Sequence, residues 1–140
     1  MSVHRIRLIG PWEFAWRTST GDGAELDGKA ASGTIKMPCD WQSIFGSRGG
    51  KVAFSRRFHR PTNLEPHERV LIVLTGVGGS GTIRLNGDSL LEFSDADSVE
   101  ADVTNKLEAF NLLEIEVEHQ PIAGKLGGLH SPVVLEIRQS

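Results

Sequence analysis

The chain has 140 residues, a net charge of −3 and a pI near 5.9. That length suits one domain, residues 1–140, with a core large enough to need neither disulfide nor metal, and the acidic balance leaves no basic footprint for nucleic acid. No run approaches the roughly 18 apolar residues that cross a bilayer. The opening MSVHRIRLIGPWEF also lacks the ~7–15-residue apolar core of a secretory signal. The single cysteine, Cys39, excludes an intrachain disulfide and favours a reducing compartment, so a cytoplasmic location is expected.

Taken in chain order, the first predicted strand runs from His4 to Ile9 and is broken by Gly10-Pro11. Trp12, Phe14 and Trp16 then alternate along a second strand, and 18–33 is a polar, Gly-rich loop. Ile35 and Met37 make a short strand ended by Pro38, and a single helical turn is expected at Trp41–Phe45. Val52, Phe54 and Phe58 share one face of the next strand with Arg56, which should need a bulge or a polar partner because a lone buried charge is costly. Val70 to Leu74 is apolar on both faces, as a central strand requires. Asn86-Gly87, between Ile83-Leu85 and Leu90-Leu91, predicts a type I′ hairpin, since both central residues need positive φ. Val99, Ala101 and Val103 alternate, Thr104 can cap one turn carrying Leu107, and Leu113, Ile115 and Val117 alternate with Glu114, Glu116 and Glu118. After a loop at 119–132, Val133, Leu135 and Ile137 form the last strand. About ten short strands with regular turn signals, and helix below about a tenth of the chain, predict an all-β antiparallel sandwich.

The order of several motifs resembles the sugar-binding domain at the front of family 2 glycoside hydrolases, the β-galactosidase and β-glucuronidase group. The motifs are Gly10-Pro11-Trp12-Glu13-Phe14, Met37-Pro38-x-x-Trp41, Phe54-Ser55-Arg56-Arg57-Phe58 and Val70-x-Leu-x-Leu74 with Gly76-Val77. Leu85-Asn86-Gly87, Asp102-Val103-Thr104-x-x-Leu107 with Asn111, and Gly127-Gly128-Leu129 follow in the same order. The resemblance covers nearly the whole chain and implies a jelly roll similar to galactose-binding-domain-like modules. It also implies carbohydrate-related ancestry without catalysis, because the group's acid/base and nucleophile glutamates belong to a separate barrel domain. In the larger relatives, loops of this domain can lend an Asn and an Asp to the barrel's sugar pocket. Residues 40–50 and 124–132 show no counterpart of either.

Several sharper chemistries are weighed and set aside on the residues. Gly76–Gly81 fits G-x-G-x-x-G, but a strand and hairpin follow where a phosphate site needs a helix N-terminus. Asp95, Asp97 and Glu100 lack the glycine and terminal bidentate acid of a calcium loop. Glu114, Glu116 and Glu118 have suitable spacing for glycoside chemistry, yet they lie along one exposed strand face with no opposing acid. The five histidines have no zinc spacing, and Asp40 beside Cys39 should disfavour a thiolate. No cofactor and no metal are expected.

Trp41 stands apart, surrounded by Asp40, Gln42, Ser43 and Arg48. Sugars bind by stacking their C–H faces on a ring while polar groups take the hydroxyls, so Trp41, Asp40, Gln42 and Arg48 form the candidate ligand site. The competing reading is that Trp41 plugs one end of the sandwich. A non-catalytic module for a neutral saccharide is therefore expected. The alternative is an accessory subunit that docks a protein partner or a second copy through a sheet face. Val134 and Leu112, apolar on otherwise polar strand faces, hint at such a patch.

Overall fold

The computed structural model describes residues 3–20, 32–45, 49–62, 64–96, 98–120 and 127–139, the side chains of 18–20 and 95–96 apart. Among them, ten strands and one short helix follow in the order β1 (Val3–Arg7), β2 (Trp12–Thr20), β3 (Ser32–Ile35), α1 (Trp41–Phe45), β4 (Gly49–His59), β5 (Glu68–Leu74), β6 (Val77–Leu85), β7 (Asp88–Ala96), β8 (Val99–Asp102), β9 (Phe110–His119) and β10 (Val133–Gln139). They form two antiparallel sheets, a four-stranded one in the order β1-β10-β5-β8 and a six-stranded one in the order β3-β2-β4-β9-β6-β7. The fold is the expected all-β sandwich of the galactose-binding-like, jelly-roll kind.

Alternation places the core. Val52, Phe54 and Phe58 of β4, Leu113, Ile115 and Val117 of β9, and Val70, Ile72 and Leu74 of β5 all lie in the single large cluster between the sheets. Removing such side chains from water is the main stabilising term, worth about 1.5–3 kcal/mol for each fully buried large residue. The turn at Asn86-Gly87 has φ of 52° and 89°, the double-positive backbone its sequence predicts. Gly81 lets β9 approach closely, because a Cβ there would overlap the Glu116 carbonyl oxygen. The glycines of Gly76–Gly81 thus serve strand packing along β6, and no helix follows them.

Arg56 departs from expectation. The β4–β9 register runs unbroken from Gly50↔His119 to His59↔Phe110, so there is no bulge. Its Nε and Nη1 are buried with no hydrogen-bond partner among the described residues. Beside it, the pairing of β2 with β4 stops at Glu13↔Ser55. Pro11, without an N–H, cannot continue the ladder, and Trp12 turns into the core with Nε1 donating to the Leu8 carbonyl at 2.7 Å. Burial without a partner pulls the Arg56 guanidinium below its ordinary pKa, and it stays charged.

Candidate functional site

The α1 segment begins with Asp40, whose carboxylate accepts hydrogen bonds from the Ser43 amide at 3.2 Å and the Ser43 hydroxyl at 2.6 Å. This is an N-cap, satisfying an amide the helix itself cannot. The Ser43 bonds hold the Asp40 carboxyl below the usual carboxylate range. Burial, and then Asp40, push the Cys39 thiol up, which disfavours a reactive thiolate. Backbone bonds from Cys39 N to Leu129 O and from Trp41 N to Gly127 O tie the segment to residues 127–129.

Four positions apart, Trp41 and Phe45 project from the same side of this turn, and both are buried. Trp41 is 0% exposed. Its ring meets Trp16, Phe45 and His119 edge-on, with centroids 5.7, 4.9 and 5.3 Å away, and Gly128 packs against its Cβ. A ring enclosed in this way has no free face for a sugar, so the stacking role expected from the sequence is not available at Trp41. Of its proposed companions, Asp40 is occupied as the cap, Gln42 is half-buried beside it, and Arg48 lies outside the described residues.

The glutamate stripe of β9 is a solvated, charge-laced face. Arg17 reaches Glu114 and Glu116 at 3.6 and 3.8 Å, Lys51 reaches Glu116 at 3.7 Å, and Arg84 reaches Glu116 at 3.5 Å. On the outer face of the smaller sheet, Val134 joins Leu71 and Val73 in a second apolar cluster. This cluster is not an open patch, because all three residues are at most 5% exposed. Arg5 and Arg138 bond Glu136 across it, and Arg138 also bonds Glu100. The Arg138 bond, then that from Arg5, lowers the Glu136 pKa against the opposing effect of burial. Leu112, the other residue singled out, is half-buried, and beside it Phe110 is 72% exposed. Among the described residues no cluster of three or more metal-ligating side chains occurs. Asp97 and the Asp95 side chain fall outside them, and Glu100 is engaged by Arg138.

This geometry defines a β-sandwich domain with charge-laced outer faces and a closed aromatic end. Its fold is shared with solved β-glucuronidases and β-galactosidases of the family 2 group that the motif order resembles. An FMN-binding β-glucuronidase from Faecalibacterium prausnitzii L2-6 aligns with a TM-score of 0.76 and 21% identity, over 96% of this chain and 22% of its own. A β-glucuronidase from an uncultured Clostridium sp. aligns at 0.77 and 20%, over 98% and 29%. A putative β-galactosidase from Bacteroides fragilis aligns at 0.75 and 17%, over 99% and 24%. The chain thus spans between about a fifth and a third of these enzymes' lengths. No protein-family model matches the sequence, and no curated protein matches it significantly.

Sequence reasoning missed Phe110 and Arg57 as candidates for function. The available signal was the break in alternation at the start of β9, where Phe110 and Leu112 occupy the face that Glu114, Glu116 and Glu118 hold further on.

Proposed function

We propose that this chain is a non-catalytic carbohydrate-recognition module, related by descent to the sandwich domain of family 2 glycoside hydrolases. The observation that carries the reading is alignment of 96–99% of the chain with only 18–32% of those enzymes. What is matched is one domain of a sugar-processing protein. The motif order Gly10-Pro11-Trp12, Phe54-Ser55-Arg56-Arg57-Phe58 and Leu85-Asn86-Gly87 supports the same descent. Catalysis is not part of the proposal: glycoside hydrolysis needs two carboxyls facing each other about 5–9.5 Å apart across a pocket, and the described glutamates of β9 line one solvated face.

An open module of this kind should bind weakly. One ring contact and a few hydroxyl bonds, set against lost translational freedom, give about millimolar affinity, near −4 kcal/mol. NMR titration of labelled protein with galactosides, glucosides and glucuronides should produce localised, saturable shifts and no turnover of aryl glycosides. Absence of localised shifts with every sugar at roughly tens of millimolar would sink the proposal and leave the accessory-subunit reading, which the exposed Phe110 favours.

A further inference from the structure

The outer face of the six-stranded sheet has a corner unlike the rest of that face. Where β2 leaves β4 after Glu13↔Ser55, a pocket of about 420 Å³ opens between Pro11 and Glu13 on one side and Arg57 and Leu112 on the other, with Ser55 and Arg56 also lining it. That volume lies within the roughly 300–1,000 Å³ of small-ligand sites. The register places His59 opposite Phe110 and Arg57 opposite Leu112. The two rows are ~7 Å apart on one face, since alternate residues of a strand point the same way. The His59 and Phe110 rings meet edge-on at 4.8 Å. The rings, an apolar floor and a free guanidinium therefore occupy about one sugar ring's footprint.

Charge sets this corner apart. In a chain of net −3, Arg17, Lys51 and Arg84 all find glutamates further along the same face. Arg57 makes no ion pair or hydrogen bond among the described residues. The Arg57 guanidinium, without an ion pair among the described residues and beside an exposed ring, is matched by a ligand carrying both a carboxylate and an apolar face. Arginine is the residue best suited to the first, through its planar fork of donors, and an exposed aromatic to the second. Glu13 and Ser55, one row further on, supply acceptors for hydroxyls.

We propose that this corner binds a short saccharide ending in an acidic, carboxylate-bearing sugar, its ring against Phe110 and His59 and its carboxylate on Arg57. This rests on the carbohydrate reading and replaces the neutral ligand expected from the sequence by an acidic one at a different place.

The test compares three probes on the labelled full chain: a uronic-acid disaccharide, the same sugar as its methyl ester, and a glutamate-rich peptide. The free acid should shift amides of 56–59 and 110–112 and bind about tenfold more tightly than the ester, the margin of one charge-assisted contact. It should also weaken as salt rises. Arg57→Gln should remove that margin and Phe110→Ala should weaken both sugars several-fold, each leaving the amide spectrum elsewhere unchanged. Equal binding of acid and ester, or shifts confined to 40–45, overturns the acidic site while leaving carbohydrate recognition standing. Silence towards every sugar overturns both, and a peptide that binds as tightly as the free acid turns the corner into a protein-docking surface.

Discussion

Two groups of aromatic side chains lie near opposite ends of the β4–β9 pair, and they have opposite fates. At one end Trp41, Trp16 and Phe45 close on one another beside His119. At the other, about nine residues or roughly 30 Å along the strand, Phe110 stands 72% exposed on the outer face with the His59 ring against it. Chain context would have assigned them the other way round, because Trp41 sits in a polar loop and Phe110 heads a strong strand. What decides is direction. A single helical turn tied to 127–129 points Trp41 inward, whereas the register of β9 points Phe110 outward with the glutamates. An aromatic ring is available for recognition only where the backbone aims it at solvent.

The largest expected effect attacks the closed end. Trp41→Ala should cost about 3–5 kcal/mol, the usual range for emptying a buried aromatic site, read as a shift of the urea midpoint at unchanged slope. A cost below about 1 kcal/mol would mean that the Trp41 cluster is open in solution, and would restore Trp41 as a sugar platform.

A second comparison sets Arg138 against Arg56, one arginine with carboxylates and one without. Arg138→Met leaves Glu136, which is 6% exposed, with Arg5 as its remaining arginine partner among the described residues, and should cost about 1–3 kcal/mol for a buried charge that has lost a charged hydrogen bond. The same pair sets an acid limb. The Glu136 pKa is depressed below 4.5, first by the Arg138 bond and then by the Arg5 bond. Its contribution is therefore fully present above that value and is lost as pH falls through the depressed one. Unfolding midpoints measured at descending pH should drop in this acid range, and Glu136→Gln should flatten the fall. An unchanged slope in the variant would show that the ladder over Leu71, Val73 and Val134 contributes no pH-dependent stability.

Arg56→Met should move the other way, raising stability by about 1 kcal/mol, because a half-buried charge with unpartnered nitrogens is replaced by an apolar chain of similar length. A thermal melt reads the sign directly. A loss of stability would instead mean that Arg56 is satisfied by a partner beyond the described residues.

Much of this architecture could be read from the residues, for local reasons. Alternation placed the inward faces of β4 and β9, and the backbone needs of Asn86-Gly87 fixed a turn. Alternation puts Arg56 on the inner face with Val52, Phe54 and Phe58; its buried nitrogens without a partner among the described residues are not readable in the sequence, because that depends on which side chains distant strands bring beside it. The four-residue spacing of Trp41 and Phe45 was in the sequence and argued for burial, but the polar neighbours of Trp41 weighed against it. The corner around Arg57 joins residues from three strands distant in the chain, so only register could assemble it.

The smallest expected effect is the one that most sharply separates the two aromatic groups. Phe110→Ala should change stability by no more than about 0.5 kcal/mol, as for surface substitutions that break no buried contact, because little of the ring leaves water on folding and the His59 ring against it is itself exposed. An exposed phenylalanine on a face rich in glutamate, arginine and lysine gains little from folding. If the urea midpoint instead falls by as much as for Trp41→Ala, the ring is buried in solution, most simply against a second copy of the chain. That outcome would show up as a concentration-dependent midpoint, and the corner would then be an interface in place of a sugar site.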